Sequence, residues 1–194
     1  MKNTLTIILL VVLGIFCVQG CSKYNSFVDY DENVEQAWAN VETQYQRRAD
    51  LIPNLVNTVK GYAEFEKGTF VEVTEARSKA SSINIDASSL TPENMAQFQK
   101  AQSQLSGSLS RLLATFERYP ELKANQGFLD LQKQLEGTEN RIAVSRRDFN
   151  GIVTDYNKKI RKFPSSFYAS VFGFDRRATF EADAGAENAP KVEF

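Results

Sequence analysis

The chain has 194 residues, 42% hydrophobic and 24% charged, with a formal net charge of -1, which describes one ordinary globular domain plus an appendage and gives no basic field to draw it onto nucleic acid. It contains no histidine, and so lacks the commonest general base, the commonest metal ligand and the usual pH switch near neutrality. Its only cysteines, Cys17 and Cys21, lie in the N-terminal apolar segment, so the folded part offers neither a disulfide framework nor a CxxC metal or redox site.

At the N-terminus Lys2 precedes an apolar run over 5–18, followed by Gln19, Gly20 and Cys21. The run is closer to the apolar stretch of a secretion signal than to the roughly 20 residues of a spanning helix. Val18-Gln19-Gly20-Cys21 has the form of a bacterial lipobox, cut before Cys21 and lipidated on it, although Gln19 stands where a small residue is usual. An uncleaved signal anchor is the alternative. Lys2 is the only charge before the run and Asp29, Asp31 and Glu32 follow it, so the positive-inside preference places the rest of the chain outside the cytoplasm. The expected organisation is a signal or anchor over 1–21, a helical bundle over 22–163, and a short apolar patch with a C-terminal tail over 164–194.

From Asp31 to about Ala80 the residues Val34, Trp38, Val41, Tyr45, Ala49, Ile52, Val56, Val59, Ala63, Phe70 and Val73 recur mostly at helical spacing. Pro53 interrupts the run, where it removes a backbone hydrogen bond and bends or divides the helix. Because the apolar phase continues across it, the spacing predicts one long helix kinked at Pro53; a split there makes four helices in all. A polar connector over 81–91 leads to Thr91-Pro92, an N-cap with proline in the first turn. The next helix carries Met95, Phe98, Gln102, Leu105, Leu109, Leu112 and Phe116 three and four apart, a coiled-coil-like seam. Pro120 marks a tight hairpin over 119–125. The following helix has its seam at Phe128, Leu131, Leu135, Thr138, Ile142, Ser145, Phe149, Ile152, Tyr156, Ile160 and Phe163 and stops at Pro164. Short connectors between long helices make antiparallel neighbours, so the fold class is all-α, an elongated antiparallel bundle behind an N-terminal membrane segment. Beyond Pro164 the patch Phe167, Tyr168, Val171, Phe172 and Phe174 is expected to fold back onto the bundle, with a mobile tail from about Ala182.

The strings RRADLIPNLV (47–56), VKGYAEFE (59–66), YPELKAN (119–125), LEGTENRIAVSRRDFN (135–150) and FGF (172–174) resemble, in order and spacing, the LemA family of bacterial envelope proteins, from about Tyr24 to Phe194. The resemblance implies an elongated antiparallel helical bundle behind one N-terminal membrane segment. It carries no established reaction, cofactor or catalytic residue. A cysteine at the end of the apolar segment is not part of the family's general pattern, so the mode of anchoring stays open.

Chemistry in the bundle meets several obstacles. A di-metal carboxylate centre needs Glu-x-x-His pairs, and serine or cysteine nucleophiles of the usual kind need a histidine. No glycine-rich phosphate loop occurs. Glu117, Glu121, Glu136 and Glu139 near the hairpin leave a carboxylate pair formally open, but charges near helix ends are mostly solvated. No enzymatic activity, cofactor or metal is therefore expected. A polar layer is more unusual: Arg47, Arg48 and Asp50 in the first helix, and Glu139, Asn140, Arg141, Arg146 and Arg147 in the last, interrupt apolar faces. Such groups fix register across a seam, and Asp50 or Glu139 is expected to pair with one of the arginines. The other reading makes them an anion-binding face. Two functions follow: a membrane-tethered scaffold or adaptor for envelope protein partners, and a binding module for an anionic envelope ligand. Cys21 is the candidate lipidation site.

Overall fold

The computed structural model describes residues 2–60 and 67–182 and is all-α, with no strand among them. Helix α1, Lys2–Lys60, runs for 59 residues, roughly 90 Å at ~1.5 Å per residue. It passes through Pro53 undivided. Proline has no N–H to give the carbonyl four residues earlier, which here belongs to Ala49. That carbonyl instead accepts a 2.7 Å hydrogen bond from Arg77 Nε, so the defect is repaired by a neighbouring helix.

The same bond corrects the expectation of one helix reaching Ala80. Residues 49 and 77 meet only if the chain reverses, and it does so between Lys60 and the start of α2, Lys67–Ser82. Apolar phase alone does not separate a helix that continues from one that restarts antiparallel. Ala63, assigned to this run, lies outside the described residues.

Helix α3, Pro92–Phe116, runs alongside α1 in the same direction: Trp38 packs on Phe98 and Arg48 reaches Ser106. Its N-cap is Thr91, whose hydroxyl accepts from the Asn94 N–H at 3.2 Å. The hairpin over 119–125 contains a single helical turn, α4, Pro120–Lys123, with Leu122 fully buried. Helix α5, Gln126–Arg161, then returns antiparallel to α1, pairing Phe149 with Trp38 and Glu139 with Arg48. A short helix α6, Ser165–Phe172, closes on Gly173, whose φ of 76° is a left-handed conformation that glycine adopts without strain.

Two cores result. Around Ile52, Leu55, Val59, Val73, Leu105, Leu112 and Leu135 the helices α1, α2, α3 and α5 form a four-helix bundle. At the other end Phe27, Val34, Trp38, Phe149, Val153 and Tyr156 of α1 and α5 pack with Ile85 and Leu90 of the connector, Tyr168 of α6, and Phe180. Each fully buried residue of this size contributes about 1.5–3 kcal/mol. The expected seam of α5 needs two corrections. Val153 rather than Ile152 is fully buried, and Phe163, beyond the end of the helix, is 89% exposed. Among the described residues no helix is long and apolar enough to cross a membrane.

Candidate functional site

Among the described residues Arg48 is the one charged side chain buried in the core, 1% exposed. It faces inward because it shares the buried side of α1 with Tyr45, Ala49 and Ile52. Its Nη1 donates to Glu139 Oε1 at 2.9 Å and to Ser106 Oγ at 2.6 Å, and its Nη2 donates to Gln102 Oε1. The guanidinium also lies 5.1 Å from the centre of the Tyr45 ring. One side chain thus fixes the register of α1 against both α3 and α5. The burial of Gln102 and Thr138 beside it follows: Gln102 accepts from Arg48, and the Thr138 hydroxyl donates to the Gln134 carbonyl at 2.7 Å.

The other residues of the predicted layer go elsewhere. Arg47 and Asp50 are exposed, and Asp50 accepts from Gln46 Nε2 at 2.8 Å. Arg141 is exposed, and Arg147 pairs with its neighbour Asp148 at 3.1 Å. Arg146 turns to the C-terminal segment, 4.8 Å over the Phe180 ring, and donates to the Glu181 carbonyl at 3.2 Å. Asn140 is exposed, and the structure therefore brings Arg48 and Glu139 together and does not gather the remaining six into one face. Cys21 is exposed on α1.

What sequence reasoning missed is an extended strap over 175–182, which crosses α5 and the start of α3. Side-chain amides hold it as a sheet neighbour would. Asn157 Nδ2 donates to the Arg177 carbonyl at 2.8 Å and its Oδ1 accepts from the Arg177 N–H at 3.1 Å. Asn150 does the same for Phe180, and Gln99 for Glu181. Arg177 forks onto Asp31 of α1 at 3.1 and 3.3 Å and donates to the Ser88 carbonyl. The Tyr156 hydroxyl donates to the Asp175 carbonyl at 2.9 Å; burial, helped by the nearby Asp31 carboxylate, pushes its pKa up to about 12. Phe180 fills a ring cluster with Trp38, Phe98 and Phe149, and Trp38 Nε1 donates to the Ile85 carbonyl at 3.0 Å. The available signal was the seven-residue spacing of Asn150 and Asn157, which puts two amides on one helix edge. The tail from Asp183 lies outside the described residues.

Set beside known proteins, residues 37–194 match the model of the LemA family. The chain belongs to the LemA family. It is 26% identical to Protein LemA of Metamycoplasma hominis, covering 89% of this chain and 75% of that protein. It is 27% identical to Magnetosome protein MamQ 2 of Paramagnetospirillum magneticum, covering 82% of this chain and 65% of the relative. For Magnetosome protein MamQ of Magnetospirillum gryphiswaldense the identity is 28%, with 84% and 66% covered. The chain thus spans about two thirds of the length of these magnetosome relatives. The family match includes Arg48, Glu139, both strap-binding asparagines and the strap itself. It omits residues 2–36 of α1.

Three open grooves flank these elements. One of about 870 Å³ lies beside Arg47, Asp50 and Glu42, whose carboxyl is pushed up by burial. Another of about 870 Å³ is lined by Lys158, Arg161, Lys162 and Arg176. The third, about 650 Å³, exposes the edge of the Arg48–Glu139 pair beneath the strap end at Glu181. Among the described residues no cluster of three acidic or cysteine side chains is placed to hold a metal ion. Around Arg48 the converging polar groups bond one another, while Arg48 Nε is buried without a hydrogen-bond partner.

Proposed function

We propose that the chain is a membrane-tethered envelope scaffold or adaptor without catalytic activity, presenting its helical bundle to protein partners outside the cytoplasm. The observation that carries this reading is the continuity of α1. One unbroken helix carries exposed Ile7, Ile8, Leu10, Val11 and Val18 in its first third and buried Val34, Trp38, Val41 and Ile52 further along. An apolar segment joined to a domain by helix rather than by flexible linker holds that domain at a set height and orientation. Membership of the LemA family and relatives named for the magnetosome agree with a protein that serves a larger assembly.

Fractionation of cells making the full chain tests the tether, and protease added to intact spheroplasts tests the orientation. Pelleting with membranes and digestion from outside support both. Recovery in the soluble fraction sinks the tether, and protection from protease sinks the orientation. Crosslinking in the envelope followed by mass spectrometry tests the scaffold: protein partners captured equally by the parent and by Arg146→Ala/Arg147→Ala support it. Salt-sensitive retention by anionic glycans, lost in that variant, would replace it with the anion-binding reading.

A further inference from the structure

The turn from α5 into α6 leaves large apolar groups uncovered. Phe163 is 89% exposed, Val171 62% and Phe167 53%, although Tyr168 and Ala169 beside them are buried. The apolar patch therefore docks by one side only. It docks, moreover, on the apolar segment of α1. The Phe167 and Phe16 rings meet edge to face at 5.6 Å, the Tyr168 hydroxyl donates to the Phe16 carbonyl at 3.4 Å, and Gly20 lies against the Tyr168 ring, which a Cβ there would meet at 3.4 Å. Phe16 and Val18 of α1 are themselves exposed, so the two elements present one apolar surface.

Cations flank α6 along the chain: Lys162 directly precedes Phe163, and Arg176 follows Phe174 by two residues. Lys158, Arg161 and Lys162 from the last turns of α5 line one groove together with Arg176. The helix dipole accounts for the cations of α5. It does not account for Arg176, which comes from the strap. The ion pair of Lys158 with Asp155, at 3.4 Å between exposed groups, is a weak competitor for that charge. An apolar face flanked along the chain by lysine and arginine fits an anionic bilayer surface, where the face enters the acyl boundary and the cations meet the headgroups. A protein partner gives no comparable reason for the two features to adjoin the apolar end of α1.

We propose that α6 and the turn before it lie in the headgroup–acyl boundary of an anionic lipid bilayer, with Phe163, Phe167 and Val171 immersed and Lys158, Arg161, Lys162 and Arg176 against the headgroups. This deepens the tether reading and rests on it, because α1 brings α6 to the membrane. The domain then stands on two supports rather than on one helix.

The test uses the full chain in vesicles of phosphatidylcholine with phosphatidylglycerol, the acyl chains brominated or not, and reads tryptophan quenching. Phe167→Trp and Phe163→Trp are the probes, the second having no packing to lose. Val144→Trp, midway along α5 and also exposed, is the control, and buried Trp38 contributes the same background to all three. The added emission of both probes should fall by about half on bromination, as expected for a face ~5–10 Å into the boundary, while the control is unchanged. Quenching should weaken in phosphatidylcholine alone. A chain that floats with vesicles but shows no more quenching than the control overturns the insertion and leaves the tether standing; a chain that does not float overturns the tether and this proposal with it. Equal quenching in both lipids overturns the role of the cations. Pairing of floated chains through Phe163 without quenching assigns the face to a second copy and overturns the lipid assignment.

Discussion

Asn150 holds Phe180 with both ends of its amide: Nδ2 donates to the Phe180 carbonyl at 3.0 Å and Oδ1 accepts from its N–H at 2.9 Å. Asn150→Leu removes both bonds, and at about 0.5–1.5 kcal/mol each should destabilise the protein by about 1–3 kcal/mol. Urea unfolding followed by Trp38 emission measures this. Trypsin should also cut faster after Arg176 and Arg177. Asn150→Asp, which keeps only the acceptor, should fall between parent and Leu. An unchanged cleavage rate in the Leu variant would show that the strap is held by other contacts.

The Arg48–Glu139 pair predicts an asymmetry. Glu139→Ala leaves a guanidinium buried with no carboxylate, a fault that costs ~3–5 kcal/mol in a fully buried pair. Because Glu139 is 43% exposed, about 3 kcal/mol is expected after allowing for solvent screening. Arg48→Met removes the buried charge, and the orphaned carboxylate turns to water, so its cost should be smaller, about 1–2 kcal/mol. Chemical denaturation of both variants decides the order. The reverse order would mean that packing of the Arg48 stem outweighs its charge.

Pro53 and Arg77 should be coupled through the Ala49 carbonyl. In the parent, Arg77→Leu leaves that carbonyl without its 2.7 Å donor, at a cost of about 1–2 kcal/mol. In a Pro53→Ala background the new N–H bonds the same carbonyl, so Arg77→Leu should cost less than half as much. A double-mutant cycle should give a coupling of about 1 kcal/mol. Additive costs would mean that Arg77 stabilises α2 by some other contact.

Tyr156 sets a limit at alkaline pH. Its pKa is raised from 10 to about 12, so between those values the unfolded chain loses a proton that the folded chain keeps. Stability contributed by the neutral phenol is complete below pH 10 and declines as pH rises towards 12. Tyr156→Phe should flatten that decline while losing the bond to the Asp175 carbonyl at every pH. Thermal melts across this range, with phenolate absorbance as the second reading, test it. A parent and variant that decline in parallel would assign the loss to other tyrosines or to lysines.

Much of the fold was legible because seam residues report burial directly. Met95, Phe98, Leu105, Leu109, Leu112 and Phe116 are all buried as their spacing requires. Spacing failed where it carries no directional information. The apolar phase runs from Val59 towards Val73 whether the chain goes straight on or folds back, and only tertiary contacts such as that of Arg77 with Ala49 tell the two apart. Of the polar residues singled out in sequence, Arg48 rather than Arg47 reaches the centre, because a helix face spans several positions and spacing alone does not choose among neighbours. The strap had no period to find. An extended segment bonded by side-chain amides leaves its signature on the partners, Asn150, Asn157 and Gln99, and not on itself.

The strap also orders events in time. Asp31 waits for Arg177, 146 positions later, and the Phe16 carbonyl for Tyr168, 152 positions later, whereas α2 and α3 are joined by the short connector between Ser82 and Pro92. Closing the long loops costs chain entropy before any contact returns it. A chain emerging N-terminus first therefore has a formed α2–α3 hairpin and an α1 with one flank still open until α5 arrives. Of the described elements the strap comes after every helix, so its amide bonds close over a bundle whose helices precede it.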